Sequence, residues 1–159
     1  MRHETEQDGQ RPFVIWVILG FMAVSIIMMI LGQTMAVFFY DWTVQYGLQE
    51  SVEEVGLLGV EVNRSFGAAD SVIYVPLMVA SLIGLLKRKN WSLYLLAAVG
   101  GVSFYWTATV TFIMLFFAPG TPNYTYVPGI EIWIFVGAHF IFGVLAIASL
   151  IIYRDRLIA

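Results

Sequence analysis

Apolar residues fall into four long stretches, and most of the polar residues and turn formers are swept into the gaps between them. The hydrocarbon core of a bilayer is about 30 Å thick, which takes roughly 20 residues of α-helix at about 1.5 Å each. Stretches 13–40, 68–86, 91–117 and 130–153 reach that length, and none holds a Lys or Arg. The pattern predicts an all-α membrane protein, an antiparallel four-transmembrane-helix bundle. A three-residue basic turn joins the middle pair, and longer loops, 41–67 and 118–129, lie on the opposite side. Stretches one and three exceed the core thickness, so they tilt or project into water.

The two loops differ in pattern. In 41–67, Val44, Leu48, Val52, Val55, Val62 and Phe66 recur at helical spacing, with Gln49, Glu50, Glu53 and Glu54 between them. That periodicity predicts one or two short amphipathic helices across the outer mouth of the bundle, weakened by Gly47, Gly56 and Gly59. In 118–129, Pro119, Pro122 and Pro128 stand with Tyr124 and Tyr126, which predicts a stiff, extended segment near the headgroups. Residues 1–12 are polar and predicted to be a disordered cytoplasmic tail, leaving 13–159 as a single transmembrane domain. A secretory signal has an apolar region of about 7–15 residues, much shorter than the first stretch here.

Composition agrees with the pattern. Of 159 residues, 60% are hydrophobic and 12% charged, against about 25% charged in soluble domains. The absence of cysteine excludes disulfides, thiolate nucleophiles and iron–sulfur ligation. Eight basic residues, scattered along the chain, do not form a nucleic-acid face. They do set an orientation. Arg2, Arg11, Lys87, Arg88, Lys89, Arg154 and Arg156 fall on one side and Arg64 alone on the other, which predicts both termini in the cytoplasm. Asp41, Glu50, Glu53, Glu54, Glu61, Asp70 and Glu131 make the outer side acidic.

Polar groups inside a bilayer are expensive and mark candidate sites. They converge in the predicted outer half of the bundle: Gln33 and Thr34, Asp70 and Tyr74, then Ser103, Trp106, Thr107 and Thr111, with Glu131 and His139 on the last helix. His139 shares a stripe with Gly143 and Ala146, and small residues mark faces where helices approach closely. Its imidazole is therefore expected to face the bundle interior, as a proton acceptor, a ligand contact, or a partner for a nearby hydroxyl. Asp70 and Glu131 are each expected in the first turn of a helix, where a carboxylate caps free amides. Gln33 follows Gly32, which pairs with Ala36 as small residues four apart, so its amide either bonds across a helix interface or lines a pocket. Ser103, Thr107 and Thr111 are expected to bond back to their own helix or to pack closely. Tyr105 and Trp106 are expected as core or pocket wall, and Pro76 frees a carbonyl near 69–72 or kinks its helix. With one intramembrane histidine and no cysteine, no metal set is expected, and a bis-histidine haem would need His139 from two subunits or an external ligand.

The layout of four helices with a larger first outer loop resembles that of tetraspan and claudin-type proteins. Their cysteine-bearing loop signature is absent, so the resemblance is one of topology and carries no residue roles. The expectation is a non-enzymatic membrane protein with an outward-facing polar pocket formed by His139, Gln33, Trp106, Thr107 and Tyr74, with Asp70 and Glu131 at its edge. It would bind a lipid-like or small ligand, or serve as an accessory subunit. Its partners are the lipid bilayer and a homo-oligomer or larger membrane complex, with no nucleic acid, and no cofactor is implied. The alternatives are a proton-coupled transporter or channel subunit using His139, and an intramembrane enzyme acting on a lipid or quinone with His139 as base.

Overall fold

The computed structural model describes residues 11–121 and 124–158, and among them every regular element is helical. Helix α1 (Phe13–Met29) runs through a π-helical segment, Ile30–Thr34, into α2 (Met35–Phe38). A short α3 (Tyr40–Gln45) follows. Helix α4 (Val52–Ala69) continues through a second π-helical segment, Asp70–Tyr74, into α5 (Val75–Leu86). Helices α6 (Trp91–Gly120), α7 (Ile130–Ile152) and α8 (Arg154–Ile158) complete the chain. Four continuous rods are long and apolar enough to cross a membrane: Phe13–Phe38, Val52–Leu86, Trp91–Phe116 and Ile130–Ile152.

The second rod departs most from expectation. The expected span at 68–86 and the amphipathic stretch before it form one rod that starts at Val52. The start is set by Ser51 and Glu54, a capping box in which the Ser51 N–H donates to Glu54 Oε2 at 2.8 Å. Gly56, with φ 69° and ψ 167°, then leaves helical geometry, so that a short first helix meets the longer remainder of α4 at a kink. Most of the expected loop helix is thus a continuation of the second rod. The first rod ends at Phe38 rather than at 40, because Phe39 (φ −138°, ψ 54°) leaves the helix and Tyr40 opens α3. The helix expected to end at 117 continues to Gly120. Residues 124–129 carry no regular secondary structure, while Pro122 and Asn123 lie outside the described residues.

Polar ties join chain segments at both ends of the rods. Arg11 Nη2 donates to the Leu85 carbonyl at 2.6 Å, closing the C-terminal end of α5 with a cation. Arg11 and Pro12, grouped by sequence with the disordered tail, are therefore fixed in place, and Pro12 caps α1. Residues 1–10 lie outside the described part of the chain. Arg64, the one basic residue on its side of the predicted topology, does the same for α2, donating to the Val37 carbonyl at 3.1 Å. The Thr125 N–H donates to the Glu54 carbonyl at 2.8 Å, strapping the α6–α7 connection onto the start of α4.

The core lies among α1, α5, α6 and α7, where Ile15, Ile18, Met22, Met78, Leu85, Leu96, Val99, Phe142 and Ala146 are buried. Between helices in lipid, association comes from packing and interhelical hydrogen bonds rather than from expelling water. Small residues let α6 and α7 come close. A Cβ on Gly143 would lie 3.0 Å from the Gly100 carbonyl, and one on Gly100 would lie 3.1 Å from Ala146 Cβ. The outward faces of the rods carry exposed Trp16, Val72, Tyr94 and Ile151, the side chains a bilayer would cover.

Candidate functional site

His139 is held on α7 with only 2% of its surface exposed. The stripe it shares with buried Gly143 and Ala146 turns it inward. Phe135, one turn earlier on the same helix, stands 4.3 Å away between ring centroids, Phe21 of α1 packs edge-on at 4.9 Å, and Trp106 of α6 lies at 5.6 Å. Three aromatic rings from three helices thus enclose the imidazole. Nδ1 is 3.0 Å from the Phe135 carbonyl. A carbonyl can only accept, so Nδ1 carries the proton and Nε2 of the neutral ring holds a bare lone pair. Nε2 is buried and has no hydrogen-bond partner among the described residues.

The neighbouring hydroxyls are settled differently. Tyr74, 1% exposed and the last residue of the second π-helical segment, shares a short hydrogen bond with Ser103 of α6. Thr107 donates to the Phe104 carbonyl at 2.9 Å and Thr111 to the Thr107 carbonyl at 2.8 Å, so both bond back to their own helix as expected. The hydroxyl stripe is therefore split, with Ser103 spent on an interhelical contact and the two threonines on local ones.

The carboxylates depart from expectation. Asp70 is no helix cap: the rod containing it begins at Val52, and Asp70 opens a π-helical segment far inside it. It is 6% exposed, and its Oδ2 has no hydrogen-bond partner among the described residues. Glu131 does stand in the first turn of α7, but it is exposed and makes no side-chain capping bond. Gln33 meets Gly67 through its backbone: a Cβ on Gly67 would sit 2.6 Å from the Gln33 carbonyl oxygen. No hydrogen bond from the Gln33 amide is found among the described residues. Tyr105, expected as core or pocket wall, points outward at 72% exposure, and only Trp106 of that pair joins the interior.

The residues proposed to line one pocket therefore fall into separate groups. Trp106 and His139 are in contact, Tyr74 is paired with Ser103, and Asp70 and Gln33 lie in the two π-helical segments. A shallow groove of about 280 Å³ lies elsewhere, on the α6–α7 surface, lined by Phe104, Val144, Ile147, Ala148 and Ile151. Its walls are apolar and include none of the expected ligand residues.

Three features escaped the sequence reading. The aromatic enclosure needs Phe21 and Phe135, and Phe135 was legible as the residue four before His139. The Ser51 and Glu54 capping box has a plain sequence signature. The third is an acidic strap. Asn63 Nδ2 donates to Glu50 Oε2 at 2.7 Å and the Tyr40 hydroxyl donates to the Glu50 carbonyl at 2.9 Å. Burial, followed by the Glu50 charge, pushes the Tyr124 and Tyr126 phenols above the usual value of 10.0. Among the described residues no group of three or more His, Asp or Glu side chains is placed to hold a metal ion. Comparison with protein-family models, with curated proteins and with solved structures gives no match. The four rods define the class, that of a multi-pass membrane protein.

Proposed function

We propose that the protein is an antiparallel four-helix membrane protein with both termini in the cytoplasm, whose interior offers His139 as a binding point for a small lipid-like molecule. The observation that carries this reading is the buried, unpartnered Nε2 inside the enclosure of Phe21, Trp106 and Phe135. A buried acceptor left unpaired costs about 1–3 kcal/mol. A ligand hydroxyl or amide donating to Nε2 recovers that energy, while the three rings contact its apolar body. The orientation rests on the seven-to-one division of basic residues. Antiparallel packing is supported by the contact order along α6 and α7: Gly100 meets Ala146, Phe104 meets Phe140 and Trp106 meets Phe135. Binding is favoured over catalysis because the carboxylates that would serve as acid partners, Asp70 and Glu131, are not among the groups enclosing His139.

Native mass spectrometry of the full chain extracted in mild detergent tests this directly. A reproducible small-molecule adduct on the wild type, lost in His139→Phe with the fold retained, is the expected result. A wild-type mass with no adduct would overturn the binding reading, and a co-purifying partner chain in its place would favour an accessory-subunit role.

A further inference from the structure

The two π-helical segments pack against each other. In each, the backbone ladder steps from i+4 to i+5: the Met35 N–H bonds to the Ile30 carbonyl, and the Val75 N–H bonds to the Asp70 carbonyl. Such a step leaves carbonyls over, and bulges of this kind concentrate at functional sites. On the first segment the Gly32 carbonyl takes up the Gln49 amide at 3.2 Å. On the second the surplus is set by Pro76. The Ser71 carbonyl would normally accept from residue 75 or 76, but the Val75 N–H is given to Asp70 and Pro76 has none. Ser71 therefore keeps a carbonyl with neither its i+4 nor its i+5 donor.

Other oxygens stand at the same crossing. Ser71 Oγ lies 2.8 Å from Thr34 Oγ1 on the facing segment and 2.6 Å from the Gly67 carbonyl. Its single proton cannot go to both. With that proton on Gly67, Thr34 donates back to Ser71, and the Thr34 oxygen retains its lone pairs. Asp70 opens the second segment, buried, with Oδ2 unpartnered. The one ion pair found among the described residues, Arg64 with Glu61, leaves Asp70 out. A carboxylate buried in a membrane segment without a basic partner either holds its proton or is balanced by a bound cation.

We propose that the crossing of the two π-helical segments binds a monovalent metal cation of the sodium class, with the Asp70 carboxylate, the Ser71 carbonyl and the Thr34 hydroxyl as its oxygen ligands. The chemistry selects this class. An all-oxygen donor set suits a hard cation, whereas transition metals favour nitrogen or sulfur ligands. A single carboxylate balances a single charge, whereas calcium sites take 6–8 oxygens, commonly from several carboxylates. A proton would satisfy Asp70 alone and would leave the Ser71 carbonyl without a partner. Unwound helix carbonyls beside a carboxylate serve cations in membrane transporters for the same physical reason. The site is separate from His139 and stands or falls independently of it.

The test is thermal unfolding of the full chain in detergent, followed by tryptophan fluorescence, in NaCl against choline chloride at equal ionic strength and fixed pH, with direct binding of radioactive sodium alongside. Sodium is expected to raise the wild-type Tm in a saturable way. Asp70→Asn abolishes both the shift and the bound sodium. Pro76→Ala, which keeps the carboxylate but returns an N–H to the ladder, weakens sodium affinity about tenfold, equivalent to about 1.4 kcal/mol. If Asp70→Asn does not fold, Pro76→Ala and Thr34→Val carry the test. Equal wild-type Tm in the two salts with no bound sodium would overturn the proposal. So would a sodium effect that survives Asp70→Asn, or stabilisation in choline on lowering the pH that matches the sodium effect, which would identify a proton site.

Discussion

Two helix crossings in this protein achieve close approach by opposite means. At the α6–α7 crossing the backbones stay regular, and Gly100, Gly143 and Ala146 remove the side chains that would hold them apart. At the crossing of the first two rods, Gly67 again admits a neighbouring carbonyl, but both backbones also loosen into π-helical segments. The difference is in what remains unspent. Small residues bring regular helices together without disturbing the ladder of backbone hydrogen bonds. Bulged helices shed carbonyls, which in a membrane must find other partners. Gln49 supplies one such partner, whereas the Ser71 carbonyl has neither its i+4 nor its i+5 donor, and Asp70 Oδ2 has no partner among the described residues. Close packing therefore serves structure in one place and exposes chemistry in the other.

The largest expected effect breaks the regular crossing. Gly143→Leu places a branched side chain where even a Cβ would lie 3.0 Å from the Gly100 carbonyl and 3.2 Å from the Phe104 nitrogen. Both neighbours are backbone and cannot swing aside. Destabilisation of roughly 1–3 kcal/mol is expected from overpacking, read as a lowered Tm in detergent. Wild-type stability in this variant would mean that α6 and α7 are free to separate.

A smaller effect sharpens the contrast between spent and unspent polar groups. Tyr74→Phe removes one partner of the Tyr74–Ser103 bond between the second rod and α6 and is expected to cost about 1 kcal/mol. Adding Ser103→Ala removes the orphaned hydroxyl and is expected to recover part of that loss. Strictly additive losses in the double variant would show that the two side chains are not coupled.

The smallest effect concerns the strap that holds the α6–α7 connection near Glu50. Its Tyr124 and Tyr126 phenols titrate above the usual 10.0, chiefly through burial and then through the Glu50 charge. The native state therefore holds protons that the unfolded chain releases. Their stabilising contribution is complete below about pH 10 and is lost as the pH rises beyond it. Alkaline difference spectroscopy should show these phenols ionising in a late phase above the usual 10.0, and Glu50→Gln should bring that phase earlier. An unchanged late phase in Glu50→Gln would leave burial as the whole cause.

Much of the fold was legible because bilayer thickness converts apolar run length directly into helices. Four runs free of basic residues became four rods, and the stripe of Gly143 and Ala146 placed His139 inside. The second rod was misread at its start because hydropathy marks where a helix enters lipid, not where its backbone ladder begins. The rod begins at the Ser51 capping box and turns helical again past the Gly56 kink, so Asp70, which looked like a cap by its place at the edge of an apolar run, lies more than three turns inside a helix. The site was less legible. Tyr105 and Trp106 are adjacent and aromatic, yet one faces outward and the other meets His139, a matter of helix rotation that packing decides.

The sequence alone determined span number and approximate boundaries, because these follow from properties summed over some twenty residues at a time. Tertiary structure alone decided which polar atoms are spent. Whether Tyr74 finds Ser103, whether Gln49 reaches the Gly32 carbonyl and whether Asp70 finds any partner depends on which helix faces which at ångström range. Hydrogen bonds fail over less than the width of an atom, and no pattern of residue types along one chain fixes distances that small between helices that meet only after folding.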